Sequence, residues 1–286
     1  MSDLLVARVD DGPVAVLTLN RPEKRNAISR KLMAELERQL EQASRDPKVR
    51  SVVLTGAGKV FCAGMDLREA ARERESAEPS QCCGPCPLPL REAARERESA
   101  EAEQHAVDTL QEMADLVQKL HTLPKPTIAA LNGDALAGGA GLMAACDFAI
   151  ASSKARIGYP EVLRGLVPAV VMYDLTRLLG DRRARQLLLT GSLIRASVAL
   201  EWGLLNQVTE PEQCLAEAIR RGKDMVRAGP QAIASIKRLL DETEGRPKSL
   251  RGVAAVSAAI RVSEEAQEGI QAFLDKRPPA WTEPNP

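Results

Sequence analysis

Two glycine turns hold the residues whose spacing could do chemistry. The stretch LNGDALAGGAGLMAACD, residues 131–147, gathers Gly133, Gly138, Gly139 and Gly141 just before an apolar run that reads as a buried helix. Its charged members are Asp134 and Asp147. The stretch GKVFCAGMDL, residues 58–67, ends a short strand in a second glycine turn. Such turns have two uses. They let a strand bend tightly into a helix, and they bare backbone N–H groups that bind anions at the helix N-terminus. If the two turns lie at the ends of neighbouring strands, each can offer an N–H to one point. Two such donors form an oxyanion hole, which stabilises negative charge developing on a carbonyl oxygen.

Other chemistry finds less support. Of the six cysteines, Cys82, Cys83 and Cys86 crowd into one segment, whereas Cys62, Cys146 and Cys214 sit in apolar surroundings, which is no disulfide framework. Cys83 and Cys86 have C-x-x-C spacing but no second pair, and a closed zinc site takes four ligands. The only histidines are His105 and His121, so no metal is expected, and the segment reads as an exposed loop with reactive thiols. Lys plus Arg and Asp plus Glu balance at 39 each. Zero net charge argues against nucleic acid or an anionic membrane as the main partner. The N-terminus MSDLLVARVDDG carries acids and no long apolar run and does not look like a signal or transit peptide, so a cytoplasmic protein without a membrane span is expected, with the mitochondrial matrix as the alternative.

The elements that must position these turns alternate. LLVARVD and PVAVLTL read as strands around DDGP, KLMAELERQLEQA as an amphipathic helix, SVVLTG as a buried strand, and VDTLQEMADLVQKLHTL as a second helix ended by Pro124 and Pro126. TIAAL and FAIAS read as strands on either side of the glycine stretch and its helix, which makes an α/β core. After about residue 169 the sequence turns helical, in the segments YDLTRLLG, DRRARQLLLTG, SVALEWG, PEQCLAEAIRRGKDMV and PQAIASIKRLLDE, and it closes on an extended polar tail, RPPAWTEPNP. One feature breaks this order. LREAARERESAE stands at 67–78 and again, letter for letter, at 90–101, with PSQCCGPCPLP between. Selection on a fold would not preserve every letter, so this reads as a recent duplication or an insertion, solvated and either helical or disordered.

Six segments in order carry a resemblance: LNRPEKRNAIS, FCAGMDL, KPTIAALNGDALAGGAGLMAACDFAIAS, ARIGYPEVLRGLVP, GLLNQV and GIQAFLDKRPPAW. In these the chain resembles the crotonase, or enoyl-CoA hydratase/isomerase, superfamily over nearly its whole length. The resemblance implies an α/β fold with a core of stacked ββα units over 1–209, interrupted by the inserted loop at about 67–103. It implies a C-terminal helical region over 210–286 used in oligomer contacts, a homotrimer or a dimer of trimers. Acyl-CoA thioesters are the implied substrates, with coenzyme A as part of the substrate and no separate cofactor.

Carried over residue by residue, the resemblance implies backbone N–H donors at Met65 and Gly138 and a catalytic carboxylate at Glu161. Contacts to the substrate are implied at Lys24, Arg25, Ala27, Ala63, Asp66, Gly139 and Gly141, with Lys276 and Arg277 as weaker candidates for the coenzyme A phosphates. By type alone these charges are ordinary surface groups, and Asp66 reads as a turn or cap aspartate rather than a catalytic one. Asp134, in a loop, reads as solvent-facing. Two-base hydratases of the family resemble a design with a second glutamate where this chain has Gly141. The single carboxylate favours enoyl-CoA isomerisation. Hydration with one acid, a catalytically weak acyl-CoA binder and thioester hydrolysis stay open as alternatives.

Deleting residues 79–101 leaves one repeat copy joined directly to the helix that follows, so folding and activity on acyl-CoA thioesters are expected to survive. Thermal unfolding and a turnover assay of the shortened chain check this. A large loss of either shows that the loop supports the fold.

Overall fold

Apolar residues run almost unbroken along the early strands, and these runs build the larger of two sheets. The computed structural model describes residues 4–67, 69, 88–243 and 264–282. The first copy of the repeat, apart from Leu67 and Glu69, and the cysteines at 82, 83 and 86 lie outside the described residues. In the large sheet, β1 (Val6–Asp11) and β2 (Val14–Leu19) form a hairpin. From β2 the sheet runs in parallel through β3 (Ser51–Gly56), β5 (Thr127–Leu131), β7 (Phe148–Ser152) and β10 (Gln207–Thr209). Ala15, Leu17, Leu19, Val52, Leu54, Ala129, Leu131, Ala149 and Ala151 face one core. Val14, Val16, Val53, Ile128, Ala130 and Ile150 face another. This is the period-2 pattern of strands buried on both sides.

A second, smaller sheet orders β4 (Val60–Cys62), β6 (Asp134–Leu136), β8 (Arg156–Gly158) and β9 (Leu193–Arg195). Each of the pairs β3–β4, β5–β6 and β7–β8 sends its first strand into the large sheet and its second into the small one. A helix follows each pair: α2 (Leu88–His121), α3 (Gly138–Ala144) and α4 (Ala169–Thr190). The core is therefore three stacked ββα units.

The second repeat copy, 90–101, is helical and continuous with α2. Earlier in the chain, α1 (Arg30–Arg45) begins at Ser29, whose hydroxyl accepts from Leu32 N at 3.2 Å, and buries Leu32, Met33, Leu36 and Leu40. Within α4 the two helices expected over 173–191 meet at a kink at Gly180, whose φ 71 and ψ 170 are not helical. After α5 (Ala196–Glu201) come α6 (Cys214–Asp224), α7 (Pro230–Thr243) and α8 (Glu264–Asp275). α6 does not stand apart from the core. Its Cys214 and Ala218 are buried against the β-sheet face that carries Val14, Val53 and Ile128. The tail is less extended than expected, because Ala280–Thr282 form a 3-10 turn and Trp281 Nε1 donates to Arg227 O.

One buried side chain ties the early loop to the sheet. Asn26 is fully buried at positive φ (54°), a conformation asparagine tolerates. Its Oδ1 accepts from Arg21 N at 2.9 Å, and its Nδ2 donates to Ala57 O at 2.9 Å, Val60 O at 2.7 Å and Phe61 O at 3.2 Å. Asn26→Ala strands these groups without partners and is expected to cost about 2–4 kcal/mol of stability, measured by chemical denaturation. A loss below about 1 kcal/mol would mean that water replaces the amide freely.

Candidate active site

The first glycine turn is held against the 25–28 loop. Ala63 N donates to Arg25 O at 3.1 Å, Ile28 N to Gly64 O at 2.8 Å and Asp66 N to Ile28 O at 2.8 Å. Beneath it, Arg21 Nη2 reaches Asp66 Oδ2 at 3.0 Å and Arg21 Nη1 donates to Ala27 O at 2.6 Å. Burial alone would raise the Asp66 pKa, but Arg21 overcomes it and holds the carboxyl below its ordinary value. The second turn is held by the small sheet. Leu136 pairs with Gly158, and Ala137 N donates to Gly158 O at 2.9 Å, three residues before Glu161.

The two turns touch. Gly64 has φ +92, and a β-carbon there would lie 2.6 Å from Ala137 Cβ and 3.3 Å from Gly138 N. Only glycine allows this approach. The N–H groups of Met65 and Gly138 donate to none of the protein's acceptors among the described residues. Gly138 is the first residue of α3, and the first bond of that helix is Gly141 N to Ala137 O.

A cavity of about 880 Å³ opens beside them. Of the residues expected at the site, Arg25, Ala63, Met65, Gly138 and Glu161 line it. Lys24, Ala27, Asp66, Gly139 and Gly141 do not. The Asp66 carboxylate is taken up by Arg21, with Lys24 Nζ 3.8 Å away, which anchors the turn. Gly139 lies behind the wall, where a β-carbon would meet Cys62 Cβ at 2.6 Å. A β-carbon on Gly141 would meet Val171 Cγ1 at 2.2 Å, so the wall at this point is valine. Asp134 accepts from the Arg156 backbone and guanidinium instead of facing open solvent. Arg277 is paired with Glu268 at 2.7 Å.

Glu161 sits in a 3-10 turn, Pro160–Arg164, entered from β8 through Tyr159. Its Oε2 is buried and has no hydrogen-bond partner among the described residues. Burial raises the carboxyl pKa, against the opposing pull of its own N–H and of Arg164. Tyr159 is fully buried just behind, and among the described residues its hydroxyl also lacks a partner.

Two titratable wall residues were not expected. His105, on α2, faces the cavity with Thr109 and Met113 one and two turns on, and its Nδ1 is 3.5 Å from Arg30 Nη1. Arg164 follows Glu161 by three residues. In 3-10 geometry i and i+3 eclipse, and that spacing was a legible signal. The rest of the wall is largely apolar, from Leu110 and Leu136 to Val167, Val170 and Val171. Among the described residues no group of three or more His, Cys, Asp or Glu side chains could hold a metal ion, and no helix is long and apolar enough to cross a membrane.

Comparison with known proteins gives one consistent answer. The profile of the enoyl-CoA hydratase/isomerase family matches residues 10–85 and 90–284. A Thermus thermophilus protein provisionally named an enoyl-CoA hydratase is 37% identical over 96% of this chain and 100% of its own length. The enoyl-CoA hydratase EchA19 of Mycobacterium tuberculosis is 32% identical, covering 97% of this chain and 95% of its own. A crystal structure of an enoyl-CoA hydratase from Shewanella pealeana superposes with a TM-score of 0.81 at 30% identity, over 98% of this chain and 97% of that one. With the stacked ββα units and the shared cavity wall already in place, the match over nearly the whole chain means that this protein belongs to the enoyl-CoA hydratase/isomerase family.

Proposed function

We propose that the protein moves a proton at the carbon next to an acyl-CoA thioester carbonyl, with Glu161 as the base and the N–H groups of Met65 and Gly138 as the oxyanion hole. The observation that carries this reading is the convergence on one cavity of two unengaged backbone donors and one half-buried carboxylate. The proton on that carbon is hard to remove because the enolate is unstable. Two donors fixed at the oxygen make the enolate accessible, and a carboxylate of raised pKa can take the proton and return it. Lys24 and Arg25 would meet the coenzyme A phosphates. Enoyl-CoA isomerisation fits a single carboxylate best, since Val171 fills the space that a side chain at 141 would need. Hydration is the second reading, favoured by the hydratase names of the relatives. The products formed from a panel of enoyl-CoA thioesters decide between them.

Glu161→Gln is expected to lower turnover by roughly 10²–10⁴-fold. In the parent, kcat/KM should fall with acidification at a pH above the ordinary glutamate range, because the base must be deprotonated and its pKa is raised. The sign for stability is opposite. A buried carboxylate is tolerated best when neutral, so its contribution is present at low pH and lost as pH rises through the folded pKa. Glu161→Gln should therefore melt above the parent at neutral pH, with the difference closing in acid. Near-parental turnover on every substrate would remove Glu161 from the chemistry.

Gly141→Glu tests the valine wall. Overpacking against Val171 is expected to cost about 1–3 kcal/mol, and Gly141→Glu with Val171→Gly should recover most of that loss. If position 141 faces the reacting carbons, the folded double variant gives a higher ratio of hydrated to isomerised product. Full stability of the single variant, measured by denaturation, would contradict the contact.

A further inference from the structure

The segment Pro160–Val171 forms one wall of the cavity, and its charged members are Glu161 and Arg164. Leu166, Val167, Pro168, Val170 and Val171 make the rest of that wall apolar. Arg164 is not spent on a fold contact. Among the described residues no carboxylate forms an ion pair with it, and its hydrogen bond is to Pro160 O at 3.2 Å, within its own turn. That bond folds the guanidinium back toward the Glu161 end of the turn, where its charge acts on the Glu161 carboxylate. At about 2 Å of rise per residue, the two backbone positions are roughly 6 Å apart.

An apolar acyl chain lying along this wall strips water from a guanidinium and gives nothing back. A carboxylate at the end of the chain replaces that water with a charge-assisted, bidentate bond. The coenzyme A phosphates are a poor match for this cation. The whole pantetheine arm separates them from the thioester, whereas Arg164 stands one turn from the proposed base. Arg25 supplies a cation elsewhere on the cavity wall.

We propose that Arg164 is a specificity-determining residue that selects acyl-CoA thioesters whose acyl chain carries a second, terminal carboxylate. This rests on the reading of the cavity as an acyl-CoA site. Titration calorimetry on the full chain, with adipyl-CoA, hexanoyl-CoA of equal chain length and free coenzyme A, tests it. Adipyl-CoA should bind about tenfold tighter than hexanoyl-CoA, the worth of one charged hydrogen-bonded pair. Arg164→Gln should reduce that ratio to about one, and Arg164→Lys, which keeps the charge without the fork, should hold an intermediate ratio. Thermal melting of each variant confirms that it is folded. Equal affinities of the parent for the two thioesters overturn the proposal and leave the acyl-CoA reading standing. A loss of free coenzyme A binding in Arg164→Gln as large as the loss for adipyl-CoA also overturns it, because the phosphates are then the partner. Failure of the parent to bind any of the three removes both readings.

Discussion

The contact between two backbone turns at Gly64 and Ala137 is the constraint on which the rest of this site depends. Gly64 takes a left-handed conformation, and its missing side chain leaves room for Ala137 Cβ and for the Gly138 amide. Ala137 itself is held at φ 54, ψ −127, an unfavourable conformation for a residue with a side chain. Strain of this kind persists only where the surroundings over-determine it. Here they do so from both sides, through the Arg21–Asp66 pair and Asn26 under one turn and the Leu136–Gly158 strand pairing under the other. The pairing that fixes Gly138 also carries the chain on to Glu161, so donors and carboxylate share one support.

Most of the large sheet was legible because five of its six strands are runs of five or six residues, as in Val14 to Leu19, whereas β10, with three, was not read as a strand. The small sheet was not read as a sheet. Its strands have three residues each, too short for a period to show, and what defines them is pairing between distant segments. The site divides in the same way. Glycine turns signal themselves by composition, but which turn meets which is a property of the topology. Glu161 was placed by resemblance, because a glutamate after proline has no distinguishing pattern of its own. Asp66 matched a motif, but its pairing with Arg21, 45 positions away in sequence, could not be read from it.

The division into core and C-terminal helical region is likewise blurred by packing. Lys237 on α7 reaches Asp147 at 2.6 Å, and Asp147 also accepts from the Thr127 backbone at the start of β5. Arg50 donates to the carbonyls of Ala228 and Trp281. α7 and the segments at Ala228 and Trp281 are thus fastened to the core by charged groups. These contacts were invisible to a reading by periodicity, because each joins residues far apart in sequence.

The burial of three cysteines has a consequence for chemical self-protection. Cys62 lies fully buried next to Ala63 of the cavity wall, with its thiol donating to Asn26 O at 3.1 Å, and burial pushes its pKa up to about 12. Burial likewise raises Cys146 and moves Cys214 to about 11. A thiol whose pKa is raised in this way stays protonated at neutral pH, and the thiolate is the nucleophile. Unsaturated thioesters are electrophiles that alkylate thiolates by conjugate addition. Held neutral and behind the cavity wall, Cys62 is a poor target for such an addition.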